Sequence, residues 1–117
     1  MKEKMNLKKL TDDLGFTILS GKNPAEAREP KGAFTSDLLS DVMGKAEENM
    51  LWITSQTHKN ILAIASLKEL SGIIIVSNGR EVKDDVLELA KKEDVVIIKS
   101  NLPAFETSGM LFDYLNQ

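Results

Sequence analysis

Apolar and polar positions follow a regular pattern through the second half of the chain. Runs that are almost wholly apolar, and therefore predict strands, occupy residues 50–54, 72–76 and 95–98. Longer segments with apolar residues at helical spacing follow each of them, near residues 57–70, 82–90 and 102–115. Strands that are apolar throughout are buried on both faces, which is typical of a parallel sheet. The alternation therefore predicts a three-layer α/β domain, with a mostly parallel central sheet and helices on both faces.

The first half of the chain has a weaker pattern. Apolar residues at helical spacing predict a helix over residues 5–14, and residues 16–19 predict a short strand. Residues 20–32 are rich in Gly, Pro and charge, so we expect a loop, part of which could pair as an edge strand. Ser36 is expected to cap the next helix, with Asp37 at its positive end. We expect residues 1–117 to form a single domain.

Polar residues follow the three apolar strands at the points where the predicted helices begin. In open parallel sheets, ligands bind beyond the carboxyl ends of the strands. The three loops expected at that edge contain Ser55, Gln56, Thr57, His58, then Ser77, Asn78, Gly79, Arg80, and then Lys99, Ser100, Asn101.

These loops combine hydroxyls, amides and two cationic side chains with three helix N-termini, an arrangement that favours an anion. Gly79 would allow a close approach of backbone to a ligand, and Arg80 could bind a phosphate or carboxylate with two hydrogen bonds. The same residue types also cap helices and form turns, so a role in turns alone stays open. Within WITSQTHKN, Thr57 is the expected helix cap, and Trp52 lies in a strand and is expected in the core.

Composition and charge exclude several classes of protein. The chain has 117 residues with 15 basic and 18 acidic side chains, a net charge of −3, and no basic stripe of the kind that nucleic-acid binders carry. No apolar run approaches the ~20 residues needed to span a bilayer. The charged start, MKEKMNLKKL, does not suit a signal peptide. We therefore expect a cytoplasmic protein that contacts neither nucleic acid nor membrane.

Signatures of catalysis and of cofactor binding are missing from the sequence. Without cysteine there is no disulfide framework, thiolate zinc site or cysteine nucleophile. Residues 15–23, GFTILSGKN, depart from a P-loop in glycine spacing and in the residue that would hold magnesium. The single histidine, His58, has no nucleophile at a fixed spacing. Acidic pairs such as Asp84 and Asp85 are typical of a solvated helix face. We predict no enzyme activity, no cofactor and no metal.

Longer stretches of the chain resemble a known family. TSDLLSDVMGKA, LWITSQTHKNILAIASLKELSGIIIV, the NGR turn and VVIIKSNLPAFETSGMLFDYL are similar to a small group of bacterial proteins. That group is related to the DRTGG domain and to the N-terminal, non-catalytic domain of HPr kinase/phosphorylase. The resemblance covers roughly residues 32–115. The DRTGG string itself and the P-loop kinase domain are absent, so kinase activity does not follow from the resemblance.

The resemblance implies an α/β module that acts in regulation or sensing. Its relatives occur beside CBS domains, in phosphate acetyltransferases, and as separate proteins encoded near iron-only hydrogenases. We therefore expect a cytoplasmic regulatory module that binds a small anionic metabolite or nucleotide through the loops above. The alternative is an interaction module that docks on a redox (hydrogenase-associated) or signalling partner without a small ligand. A minor phosphotransfer or hydrolytic enzyme is the least favoured reading. Apolar surface on the first strand or last helix would support a homodimer.

Overall fold

One five-stranded sheet and six helices make up the fold. A computed structural model of the chain describes residues 5–117. The strands are β1 Thr17–Ser20, β2 Ala33–Thr35, β3 Leu51–Thr54, β4 Gly72–Ile75 and β5 Ile97–Lys99. The helices are α1 Leu7–Leu14, α2 Lys22–Ala27, α3 Leu39–Lys45, α4 Asn60–Leu67, α5 Asp84–Lys92 and α6 Ala104–Leu115.

The strands lie in the order β1-β5-β4-β3-β2. Strands β2, β3, β4 and β5 run parallel and lie side by side in chain order. Strand β1 pairs antiparallel with β5 at one edge of the sheet. The predicted mostly parallel sheet is confirmed. All four parallel strands therefore end at the same edge of the sheet, which brings the loops that follow them together.

Helices cover both faces of the sheet, as predicted. Along β4, Ile73 and Ile75 pack in one core with α3, α4 and α5, whereas Ile74 packs in the other core with α1, α2 and α6. From β2 to β5, each new parallel strand is added on the same side of the preceding one. Because the crossover connections share one handedness, α3, α4 and α5 all lie on one face of the sheet. The three-layer α/β prediction is confirmed.

Trp52 lies in the core, as its place in an apolar strand predicted. Its side chain is fully buried beneath α3 and α4, and its indole Nε1 donates a hydrogen bond of 2.8 Å to the carbonyl of Ser36. The one polar atom of this side chain is thereby satisfied, as a buried indole requires. The bond also ties the segment after β2 to strand β3.

The prediction of a loop over residues 20–32 was wrong in part, because Lys22–Ala27 form helix α2. Pro24 sits in the first turn of that helix, where the missing N–H has no intrahelical acceptor to lose. Ala25 is fully buried against the sheet, and this tertiary contact favours the helix. The edge strand begins after the predicted loop, at Ala33.

The predicted starts of two helices were also wrong. Helix α3 begins at Leu39 with Leu38 as its N-cap, so Ser36 does not cap it and Asp37 precedes it. Helix α4 begins at Asn60 and not at Thr57, which places His58 before the helix. Local bonds from short polar side chains compete with helical geometry, and the Ser36 hydroxyl accepts one such bond from the N–H of Leu38 at 3.0 Å.

Candidate functional site

The loops after β3 and β4 enclose a cleft of about 640 Å³ at the carboxyl edge of the sheet. We call it the polar cleft. Side chains from the start of α4 and from the segment before α5 complete its walls. It is lined by Ser55, Gln56, Thr57, His58, Lys59, Asn78, Arg80, Glu81, Lys83, Asp85 and Val86.

Cationic side chains outnumber carboxylates in the polar cleft. Arg80, Lys59 and Lys83 face two acids, Glu81 and Asp85. One of these acids is engaged within its own helix turn, since Asp85 Oδ1 accepts a hydrogen bond of 3.0 Å from the N–H of Val86. The lining side chains thus carry one net positive charge, on a chain whose net charge is −3, while the carboxylate of Asp37 lies outside this lining. Such an excess attracts anions and allows charge-assisted hydrogen bonds to them.

Asp37 fixes the conformation of the first loop. Its Oδ1 accepts hydrogen bonds of 2.7 Å from the Thr54 hydroxyl and from the Ser55 N–H, and its Oδ2 accepts one of 2.7 Å from the Ser55 hydroxyl. The Thr54 hydroxyl in turn accepts a bond of 3.1 Å from the N–H of Gln56. One carboxylate therefore holds Thr54 and Ser55 directly and Gln56 through the Thr54 hydroxyl, and the last two of these residues line the polar cleft.

The charged form of Asp37 is the form that makes these bonds. Burial raises the pKa of its carboxyl, but the bonds from the Ser55 N–H and from the Thr54 and Ser55 hydroxyls outweigh that effect and hold the pKa below its usual value. Asp37 is therefore ionised at neutral pH and accepts all three bonds as a carboxylate.

Gly79 allows the second loop to pack closely against the first. A Cβ atom at this position would lie 2.9 Å from the carbonyl oxygen of Ser55 and 2.9 Å from Cγ2 of Ile75. Its φ angle is not in the left-handed region, so the close contact and not the backbone conformation requires glycine. Gly79 thus admits the neighbouring loop, and the expectation that it also allows a close approach to a ligand stays a prediction.

His58 is exposed at the rim of the polar cleft. Its Nδ1 accepts a hydrogen bond of 3.3 Å from the N–H of Asn60, at the first residue of α4. The imidazole thus assists the start of the helix that Thr57 was expected to cap. Its other nitrogen, Nε2, is the one left for contact with a ligand.

The third predicted loop does not reach the polar cleft. Ser100 is fully buried, and its hydroxyl lies 2.8 Å from the hydroxyl of Thr107 and accepts a bond of 3.1 Å from the N–H of Leu102. Asn101 is exposed but does not line the cleft. The sequence placed both residues at the correct edge of the sheet, but the structure directs one of them inward and leaves the other outside the cleft.

Instead, the third loop braces the second one. The Ser77 N–H donates a bond of 2.9 Å to the carbonyl of Leu102, and Ser77, although exposed, does not line the cleft. The Lys99 ammonium donates a hydrogen bond of 2.9 Å to the carbonyl of Val76. This cation, which was expected to face a ligand, is therefore hydrogen-bonded to the protein. These bonds hold the end of β4 in place and position Asn78 and Arg80.

Sequence reasoning missed several residues of the site. Asp37 was assigned to a helix because β2 is too short to be recognised as a strand, so its loop was not placed at the ligand edge. Lys59, Glu81 and Lys83 were not singled out, and Asp85 was assigned to a solvated helix face. A signal was present, since a parallel sheet brings an acid after one strand next to the hydroxyls after the following strand.

No helix within residues 5–117 is both long and apolar enough to cross a membrane. The same residues contain no cluster of three or more acidic or histidine side chains that could hold a metal ion.

Fold and cleft together define a small three-layer α/β domain with an open polar site at its carboxyl edge. Within that class, the chain belongs to the DRTGG domain family, whose model matches residues 9–113. None of the curated protein sequences compared with the chain matches it significantly.

A solved structure shares the fold. It is the crystal structure of the CBS and DRTGG domains of the regulatory region of Clostridium perfringens pyrophosphatase, complexed with the activator diadenosine tetraphosphate. The TM-score is 0.71 at 18% sequence identity. The likeness covers 91% of this chain and 45% of that one, so the present chain spans less than half of the regulatory region it resembles. At this identity the likeness establishes the fold alone.

Proposed function

We propose that the chain is a cytoplasmic regulatory or sensory module that binds a small anionic metabolite or nucleotide in the polar cleft and catalyses no reaction itself. The observation that carries this proposal is the excess of cations in a cleft of about 640 Å³, which is within the size range of small-molecule sites. Among these cations, Arg80 is best suited to a phosphate, since a guanidinium matches phosphate oxygens with two parallel bonds.

The other cleft residues suit the remaining parts of a nucleotide or phosphorylated metabolite. The side-chain amides of Gln56 and Asn78 can both donate and accept, as recognition of a base or an amide requires. Glu81 precedes α5, and none of the described hydrogen bonds engages its carboxylate, so it can accept a bond from a ligand hydroxyl. A ligand that carries both phosphate and hydroxyl groups therefore uses both charge types in the cleft.

Family membership supports a regulatory role. The DRTGG domain of the pyrophosphatase belongs to a regulatory region, and that region was crystallised with a nucleotide activator. This description concerns the other protein, which is more than twice as long as the matched part. It makes nucleotides the first compounds to test on the present chain.

The groups in the cleft are arranged for binding and not for catalysis. The Ser55 hydroxyl donates to Asp37, and Nδ1 of His58 accepts from the N–H of Asn60. A nucleophilic serine needs a base that takes its proton during the reaction, and a carboxylate with a lowered pKa is a weak base. Incubation with ATP or GTP and magnesium is therefore expected to give no more turnover than buffer.

Calorimetric titration tests the binding proposal directly. The probes are ATP, AMP, diadenosine tetraphosphate and inorganic phosphate, each added to the purified chain. If a phosphate-bearing compound binds, Arg80→Ala should weaken it at least tenfold, because charge-assisted hydrogen bonds contribute about 1.5–3 kcal/mol each. Lys92→Ala is the matched control, since it removes one exposed cation from the far end of α5.

Two outcomes would count against the proposal in different ways. Equal affinity of the Arg80→Ala and Lys92→Ala proteins would remove Arg80 from the site but leave a binding module. Absence of any heat and of any thermal shift with all four probes would contradict a nucleotide or phosphate ligand, because binding to the native state must raise its melting temperature.

The interaction module remains the second candidate, and one observation favours it. Phe105 and Phe112 on α6 are 86% and 74% exposed, an unusual cost for a protein that meets only small ligands. A redox (hydrogenase-associated) or signalling partner would dock there without using the polar cleft. Failure of all small probes, together with partner binding that Phe105→Ser abolishes, would favour this reading.

A further inference from the structure

The polar cleft offers a ligand almost no apolar surface. Of the eleven side chains that line it within residues 5–117, ten are polar or charged, and Val86 is the exception. Val86 itself is only 6% exposed, because its side chain packs into the core on that face of the sheet. Sites for small organic ligands are commonly lined by apolar and aromatic side chains. The polar cleft therefore suits a ligand whose own surface is mostly polar.

The aromatic side chains of the protein lie away from the polar cleft. All six fall within residues 5–117, and none of them lines the cleft. They are Phe16, Phe34, Trp52, Phe105, Phe112 and Tyr114. Nucleobases are commonly bound by stacking on such rings. In this cleft the imidazole of His58, at the exposed rim, is the one ring that a base would meet.

The charges in the cleft suit one phosphate group beside hydroxyl groups. Three cations and two carboxylates leave one net positive charge among the lining side chains. No described hydrogen bond engages the carboxylate of Glu81, which repels phosphate oxygens and accepts hydrogen bonds from hydroxyls. A chain of several phosphates would bring more negative charge than these side chains balance. A single phosphate attached to a hydroxyl-bearing carbon skeleton matches both the cations and the carboxylates.

We infer that the ligand of the polar cleft is a sugar or polyol monophosphate, whose phosphate binds Arg80 and whose hydroxyls bind Glu81. The side-chain amides of Gln56 and Asn78 can exchange hydrogen bonds with further hydroxyls. Such phosphates are one class of the anions that the proposed binding function allows, so this identification rests on that function. A base attached to the sugar extends from the open cleft into water and adds little to the affinity.

Calorimetric titration with ribose 5-phosphate, AMP, adenosine and inorganic phosphate tests this identification. Ribose 5-phosphate and AMP share a phosphate and ribose hydroxyls but differ in the base, so we expect affinities within about fivefold of each other. Ribose 5-phosphate should bind roughly tenfold or more tightly than inorganic phosphate, because its hydroxyls add hydrogen bonds to a charged acceptor. Adenosine should give no measurable heat, since it lacks the phosphate.

Glu81→Ala should change the affinities of two probes in opposite directions. Loss of a negative charge from the cleft should leave the binding of inorganic phosphate unchanged or make it tighter. Ribose 5-phosphate should bind about three- to tenfold more weakly, because a hydroxyl loses its charged acceptor. The matched control is Glu88→Ala, which removes the same charge from an exposed position on α5 outside the cleft lining. If Glu81→Ala tightened both probes, its carboxylate would act through charge alone, and hydroxyl recognition would be wrong.

The possible results separate this identification from the proposed function. AMP that binds roughly tenfold or more tightly than ribose 5-phosphate would place the base in the cleft, which overturns a sugar phosphate ligand but leaves a binding module. Ribose 5-phosphate that binds no more tightly than inorganic phosphate would also overturn it, because the hydroxyls would then not be recognised. Absence of heat and of thermal shift with every phosphorylated probe would contradict the proposed function, and the sugar phosphate ligand with it.

Discussion

The loops after β3 and β4 and the loop after β5 lie at the same edge of the sheet and have similar polar sequences, yet they have different roles. The first two place Gln56, Asn78 and Arg80 at the wall of the polar cleft. The loop after β5 directs Ser100 inward to Thr107, and Lys99 at the end of β5 donates a hydrogen bond to the carbonyl of Val76. Topology thus decides where a loop lies, whereas the bonds available to each side chain decide whether it faces a ligand or the protein.

The cause of this difference lies in what each loop must satisfy. The N–H and the hydroxyl of Ser55 both donate to Asp37, which follows a different strand. The other side chains of that loop are therefore free to line the cleft. The serine of the loop after β5 has no carboxylate partner among the described bonds, and its hydroxyl instead pairs with the buried hydroxyl of Thr107 and accepts the N–H of Leu102. Four experiments test this distinction between cleft loops and bracing loop, from the largest expected effect to the smallest.

The largest effect is expected at Gly79. Gly79→Ala places a methyl group 2.9 Å from the Ser55 carbonyl oxygen, so the two cleft loops must separate. Overpacking of this kind costs typically 1–3 kcal/mol, and since a backbone atom is involved we expect about 2–3 kcal/mol. This corresponds to a decrease in Tm of roughly 10 °C, which a thermal scan measures.

Gly44→Ala is the control for that measurement. Gly44 lies within α3, and a Cβ there would meet no atom within 4 Å. We expect a gain of about 0.5–1 kcal/mol, because alanine loses less backbone entropy than glycine on folding. If both variants were equally stable, the contact between the cleft loops would not constrain residue 79.

Thr107→Val tests the loop that braces the cleft. The change preserves the shape of the side chain but removes the hydroxyl that bonds to Ser100 and donates at 3.2 Å to the carbonyl of Leu102. A buried polar atom left without its partner costs about 2 kcal/mol, which urea unfolding can detect. We expect the affinity for any cleft ligand to stay within a factor of two or so of wild type. A large loss of affinity would make the third loop part of the site.

Asp37→Ala removes the carboxylate that fixes the first cleft loop. Charge-assisted bonds are strong, but this side chain is partly solvated, so we expect a loss of about 1 kcal/mol at neutral pH. Because folding lowers the pKa of Asp37, its contribution is present above the unfolded value of about 3.9 and disappears as the pH falls through the folded value. Wild type and variant should therefore converge in acid.

Unfolding at neutral pH and near pH 2, followed by the fluorescence of Trp52, measures this difference. The tryptophan is well placed as a reporter, since its indole donates to the carbonyl of Ser36, next to Asp37. Asp41→Ala is the control with the same change of charge, and its surface ion pair with Lys45 at 3.3 Å should contribute less than about 0.5 kcal/mol. A stability difference that persists unchanged in acid would show that the Asp37 carboxylate is not its source.

The sequence predicted the elements whose pattern reflects burial, and missed those set by specific contacts. The apolar runs of β3, β4 and β5 and the helices between them were predicted because burial on both faces leaves an unambiguous pattern. Helix α2 and strand β2 were missed, because six and three residues are too few to show a period. Their positions depend on tertiary packing, such as the burial of Ala25.

The positions of the candidate site residues were predicted in the same uneven way, and ligand binding there stays a prediction. The rule for parallel sheets placed the loops after β3 and β4 at the carboxyl edge, where the structure has them, because that placement depends only on strand order and direction. It could not distinguish Ser100, which is buried, from Ser55, which lines the cleft, because both follow a strand and precede a helix. The acceptor that separates them, Asp37, is distant in sequence and is recognised only when the strands are placed side by side.

The smallest effects are expected at two asparagines, which give the most direct test of the distinction. Asn101 and Asn78 are both exposed and both follow a strand, but only Asn78 lines the polar cleft. Substitution of either by alanine should change stability by less than about 0.5 kcal/mol, since neither is buried. For whichever phosphate-bearing probe binds, Asn78→Ala should weaken affinity a few-fold, through the loss of one neutral hydrogen bond of about 1 kcal/mol, and Asn101→Ala should not. Titration calorimetry of the two variants side by side measures this, because their stabilities match and the fold is unaltered. An equal loss of affinity in both proteins would show that all three loops bind the ligand. The loop after β5 would then be part of the binding surface and not only a support for the loop after β4.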